Sequence, residues 1–170
     1  MGCAYVIHVA NPVDGPSNVP AAEFITPVAE GMRAIIEGAV ASRTKRIVVT
    51  SSFATVIGVA FKKDTGETLY SEKDFTPAEG TSPYCQGKIA QEKVIFDFLK
   101  NQEQENPDHK VEIVITLPTL VIGPCLINSP NSSAEGIAKF MRRDIPVVPP
   151  LMMPCVDVRD VAVAHLLALE

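Results

Sequence analysis

Arg46-Ile47-Val48-Val49-Thr50-Ser51-Ser52 decides how this chain is read. After its leading arginine the segment is a short run of β-branched residues, the pattern of a strand buried on both faces of a sheet. Ser51, Ser52 and the following Phe53-Ala54-Thr55 then place a polar, hydroxyl-bearing loop at the strand's C-terminal end.

Upstream of it, Val28, Met32, Ile35, Ile36 and Ala39 recur at helical spacing up to about Ser42, which predicts an amphipathic helix. A Pro/Gly/Asn-rich loop, 11–20, precedes that helix, and before the loop residues 4–9 (AYVIHV) read as another buried strand. Downstream, the polar stretch 59–82 reads as a surface excursion. Ser82-Pro83 has the form of an N-cap followed by proline at the first helical position. The helix it opens carries Ala90, Val94, Ile95, Phe98 and Leu99 as its core stripe and ends near 100–102. Residues 111–117 form a third strand, and 118–124 an apolar segment punctuated like a turn. A short helix over 134–142, a proline-rich stretch over 146–154 and a closing helix from about 159 complete the reading.

Strands alternating with helices of this length predict an α/β fold, a parallel sheet covered on both faces. The chain has 170 residues, 46% of them hydrophobic, enough for one packed core. Its 20 acidic and 15 basic residues give a net charge of -5, and the basic residues are dispersed, which argues against a nucleic-acid partner. Cys3, Cys85, Cys125 and Cys155 lie far apart without metal-ligand spacing, as free thiols in a reducing compartment would. No apolar run has membrane-spanning length and no leader pattern opens the chain. A cytoplasmic protein without a membrane partner is expected.

Tyr84 and Lys88, four apart on the second helix, share one face. An ammonium beside a phenol favours the phenolate and moves the tyrosine toward a usable acid/base range. Open α/β sheets place their ligands at the C-terminal ends of strands, where Ser51 and Ser52 lie, and a serine hydroxyl there can hydrogen-bond a reacting oxygen. A surface Tyr/Lys pair and two turn serines would look the same without that juxtaposition.

Five blocks in order carry a specific resemblance: residues 5–10 (YVIHVA), 46–52 (RIVVTSS), Ser82-Pro83-Tyr84 with Lys88, 118–124 (PTLVIGP) and 156–162 (VDVRDVA). With them the chain is similar to the extended short-chain dehydrogenase/reductases of the NAD-dependent epimerase/dehydratase superfamily, most closely the dihydroflavonol reductase and cinnamoyl-CoA reductase group. The resemblance implies a Rossmann-like doubly wound sheet and reduction of a small-molecule ketone or aldehyde with NADP or NAD, NADPH being favoured. It implies that Ser52 polarises the substrate oxygen, with Ser51 as the fallback serine, that Tyr84 is the acid/base and that Lys88 holds the nicotinamide ribose. Val9 and Ala10 would pass near the cofactor, Pro118, Thr119 and Val121 would lie against the nicotinamide, and Ser51, Tyr84 and Ser133 would add cofactor contacts. It also implies a homodimer paired through the helices flanking the tyrosine.

The family's Gly-x-x-Gly-x-x-Gly phosphate loop does not occur among the ten glycines. By the resemblance, residues 1–124 correspond to a Rossmann domain lacking its first strands, and 125–170 to the beginning of a substrate-binding region. The 170 residues alone are then expected neither to hold a nicotinamide cofactor tightly nor to turn over, and the strand over 4–9 becomes an apolar sheet edge. Two other readings stay open: a sugar-nucleotide epimerase or dehydratase, against which the apolar 149–153 argues, and a non-catalytic partner-binding protein that uses the open edge.

Overall fold

Three strands, β1 (Tyr5–His8), β2 (Arg46–Thr50) and β3 (Glu112–Thr116), form a parallel sheet in the order β1-β2-β3. The computed structural model describes residues 2–12, 21–57, 70–105, 108–127, 132–147 and 154–170. The register sets His8 beside Val49 and Thr50 beside Thr116. Helix α1 (Ala21–Ala41) connects β1 to β2; a single turn, α2 (Ala54–Ile57), and α3 (Pro83–Glu105) connect β2 to β3.

Side chains alternate across the sheet, and each face has its own cover. Ile47 and Val49, with the half-buried Val6, Ile113 and Ile115, pack on Met32, Ile36 and Ala39 of α1 and Ile95 of α3. Full burial of such side chains contributes about 1.5–3 kcal/mol each. The alternate positions, Val48, Thr50 and Thr116, face the other way, toward α5 (Val158–Leu167). From α5 the buried His165 brings Nε2 to 2.6 Å from Thr50 Oγ1 and 3.1 Å from Thr116 Oγ1, while Nδ1 lies 2.7 Å from Val161 O. A carbonyl only accepts, so Nδ1 carries a hydrogen, and in the neutral ring Nε2 then accepts from Thr50. The fold is α/β, as its sequence pattern implies, and Rossmann-like, as the resemblance implies.

The structure corrects several details. β1 is the apolar sheet edge that the resemblance implies and not the buried strand that its composition alone predicts: Tyr5 is 46% and Ile7 40% exposed. The turn-like 118–124 contains a strand, β4 (Leu120–Ile122), which pairs in parallel with β5 (Cys155–Asp157) as a second sheet. Three residues are too few to show a period, and flanking prolines and glycine disguise them. α1 starts well before Val28 and accommodates Pro27, and the hydroxyl-rich loop after Ser52 winds into α2. α4 (Ser132–Met141) packs on β4.

Gly123 ends β4 at φ 136°, where an added Cβ would lie 2.9 Å from Val158 Cγ1. Glycine is required there by both its backbone and its neighbour. The excursion 59–82 up to residue 69, the loop from residue 13, Asn131 and the proline-rich 148–153 lie outside the described residues. No helix among the described residues is long and apolar enough to cross a membrane.

Candidate active site

The first turn of α3 forms as its cap predicts, with Ser82 Oγ accepting the Cys85 N–H at 3.2 Å and Pro83 as the first helical residue. Cys85, buried at that turn, donates from Sγ to Ala54 O at 3.3 Å. Burial pushes its thiol pKa up, against a hydrogen bond with Thr81, while the Glu92 carboxylate adds a smaller push. The contact seats the helix start on the loop leaving Ser52, so Tyr84, the residue before Cys85, stands beside that loop.

One turn on, Lys88 is only 3% exposed. Its Nζ donates to Thr50 O at 2.8 Å and, more weakly, to Gln91 Oε1 at 3.4 Å. Burial draws its pKa down to about 8, and the Glu92 carboxylate opposes that fall. Lys88 thus reaches from α3 to the end of β2.

The two serines have different surroundings. Ser51 Oγ donates to Glu92 Oε1 in a buried pair, which commits its hydroxyl hydrogen. Ser52 Oγ accepts from the Ala54 N–H at 3.3 Å, so its own hydrogen stays available to donate. The Ser52 carbonyl accepts from the Thr55 N–H at 3.0 Å and the Thr55 hydroxyl at 2.9 Å, which holds the loop in α2. Of the pair, Ser52 is the one equipped to polarise a ligand oxygen.

The remaining positions divide between the two sheets. Val9 and Ala10, both exposed, leave the C-terminal end of β1 at the same sheet edge as Ser51 and Ser52. Pro118 joins that edge, its carbonyl accepting the Phe53 N–H at 3.2 Å, and the half-buried Thr119 follows it. Val121 instead lies within β4 opposite Val156, and Ser133 lies in the first turn of α4. These two belong to the second sheet and its helix.

Three polar residues at this edge carry no role in the sequence reading. His8, on the α3 side of β1, has its pKa lowered by burial and then by the Lys88 charge. Glu92 follows Lys88 by four residues on α3, a spacing that places it on the same helix face. His165 hydrogen-bonds the Thr50 and Thr116 hydroxyls from α5. His8 lies in a quoted block and Glu92 at helical spacing from Lys88, signals available in the sequence.

The model of the NAD dependent epimerase/dehydratase family matches residues 1–170. Cinnamoyl-CoA reductase 1 of Arabidopsis thaliana is 31% identical over 173 residues, covering 99% of this chain and 46% of that protein. NADPH-dependent methylglyoxal reductase GRE2 of Saccharomyces cerevisiae is 29% identical over 182 residues, covering 97% of this chain and 52% of that protein. The crystal structure of yeast methylglyoxal/isovaleraldehyde reductase Gre2 complexed with NADPH superposes with a TM-score of 0.78 at 25% identity, over 97% of this chain and 52% of that one. The chain spans about half the length of the curated relatives it matches.

Proposed function

The chain belongs to the NAD dependent epimerase/dehydratase family, and from that membership we propose that it serves an NAD(P)-dependent reductase of small ketones or aldehydes. One observation carries the reading: Ser52, with a hydroxyl hydrogen to donate, stands at the strand edge to which Cys85 and Lys88 fasten the helix bearing Tyr84.

In this mechanism Ser52 donates a hydrogen bond to the carbonyl oxygen, and that bond strengthens as negative charge develops. Tyr84 gives its phenolic proton to the same oxygen, completing the alcohol. When bound, the nicotinamide cofactor supplies the hydride. An ammonium has three donors and Lys88 uses two, so the third is available to a ribose hydroxyl. The residues therefore fit the ribose and nicotinamide half of the cofactor, with Val9, Ala10, Ser51, Pro118, Thr119, Val121 and Ser133 as further contacts.

Nothing in the 170 residues has the spacing of a phosphate loop, and we propose that these residues alone bind the cofactor weakly and do not turn over. Calorimetric titration with NADPH tests that part; micromolar binding would overturn it. Oxidation of NADPH by small aldehydes and ketones, assayed on the protein as its gene encodes it, tests the reductase reading, and a rate no higher than the buffer's would refute it.

The reading takes 1–124 as the cofactor half and 125–170 as the start of the substrate side, in a cytoplasmic protein without nucleic-acid partners. A second copy is proposed to pair through α1 and α3, between which lies a groove of about 480 Å³ lined by Ile36, Val40, Val94 and Phe98 among others. Partner binding through β1 is the second reading, favoured by the exposure of Tyr5 and Ile7 at the sheet edge.

A further inference from the structure

Two adjacent residues at the end of β2, Thr50 and Ser51, are each held by a buried side chain of α3, and the two α3 residues are one turn apart. Lys88 Nζ donates to Thr50 O at 2.8 Å, and Glu92 Oε1 accepts from Ser51 Oγ. Glu92 is only 6% exposed, so its carboxylate is held out of water with the Ser51 hydroxyl as donor and the charge of Lys88 one helical turn away. A carboxylate is buried at high cost unless a charge partner and hydrogen bonds offset it. A neutral serine hydroxyl could be held equally well by a neutral acceptor.

Resting on the reductase reading, we infer that Glu92 is a positioning residue for the reaction: with Lys88 it clamps the strand end that carries Ser52, and it is the counter-charge that keeps Lys88 an ammonium. Ser51 is then part of the clamp, and Ser52 alone faces the substrate oxygen. The titratable groups around Lys88 are His8 from β1 and Tyr84, Cys85 and Glu92 from α3; His165 of α5 reaches Thr50 from the opposite face. His8 opposes the lysine's charge when protonated, and among these only Glu92 is a carboxylate.

The test is a titration of Lys88 by NMR, with isotope labels at lysine Cε and glutamate Cδ and assignment by Lys88→Arg. In the unsubstituted chain the Lys88 midpoint is expected at about 8. Glu92→Gln keeps an acceptor for Ser51 and removes only the charge, so the midpoint should fall by about one pH unit. An unchanged midpoint in the folded variant overturns the counter-charge role. Ser51→Ala cuts the hydroxyl bond and keeps the carboxylate; it should leave the midpoint in place, and a fall as large as that of Glu92→Gln would overturn the assignment to charge. Should Glu92→Gln not fold, the Glu92 Cδ resonance of the unsubstituted chain decides: it should move as Lys88 loses its proton, and a flat trace overturns the pairing. The titration needs neither cofactor nor turnover. Its failure removes the role of Glu92 alone, whereas a protein that does not oxidise NADPH removes the reductase reading alone.

Discussion

The Lys88 side-chain nitrogen lies 2.8 Å from the Thr50 carbonyl oxygen, which joins the second turn of α3 to the last residue of β2. That bond brings a helix carrying an acid/base candidate and a strand end carrying a polarising hydroxyl to one place. A buried ammonium is costly, and its presence here has a measurable consequence for stability.

Folding lowers the Lys88 pKa from 10.5 to about 8, chiefly by burial. Between these values the unfolded chain binds more protons than the folded one, so stability rises as pH increases from about 8 toward 10.5. Below about 8 both states hold the proton and the full cost of burial is felt. Urea unfolding across this range, compared with Lys88→Met to cancel other groups, should show the rise only in the unsubstituted chain. A parallel pH dependence in both would contradict the burial.

Ser51 and Ser52 should separate in mutagenesis. Ser51→Ala removes the hydroxyl that the buried Glu92 accepts from, and should cost about 1–3 kcal/mol of stability. Ser52→Ala gives up the bond from the Ala54 N–H, should cost about 0.5–2 kcal/mol, and in the protein as its gene encodes it should lower kcat by about 10²-fold or more. Denaturation midpoints and turnover rates on the same two variants check both expectations.

His165 links α5 to both β2 and β3. His165→Ala leaves a cavity and two half-buried threonine hydroxyls without that partner, and about 2–3 kcal/mol of destabilisation is expected. The change in urea midpoint measures it.

At Gly123 a methyl group meets Val158 Cγ1 at 2.9 Å on a backbone with φ 136°. Gly123→Ala should cost about 1–3 kcal/mol, read from thermal unfolding. The same change at Gly31, where an added Cβ meets nothing within 4 Å, should stabilise α1 by about 0.5–1 kcal/mol.

The elements legible in the sequence are those with a period long enough to repeat. α1 and α3 show their buried stripes, β2 its unbroken apolar run, and Ser82-Pro83 announces its helix start. β4 and β5 are three residues each and exist only through pairing across a long sequence separation, as between Val121 and Val156. The exposure of β1 is likewise a property of its place at the sheet edge and not of its apolar composition. For the candidate site, Tyr84, Lys88 and the two serines are proposed from the sequence because their chemistry and spacing repeat a known pattern. Glu92 offered only its helical spacing from Lys88 and His165 no signal, since a buried polar residue on a helix reads in sequence like one that faces solvent. Only the bonds to Ser51 and Thr50 distinguish them.

Tyr84→Phe tests the central claim most directly, because it removes one hydroxyl from a half-buried ring and leaves the fold intact. In the protein as its gene encodes it, NADPH oxidation by a panel of small aldehydes and ketones should fall by about 10²–10⁴-fold in the variant with cofactor affinity retained. Equal rates in the two proteins would contradict the assignment of Tyr84 as the proton donor.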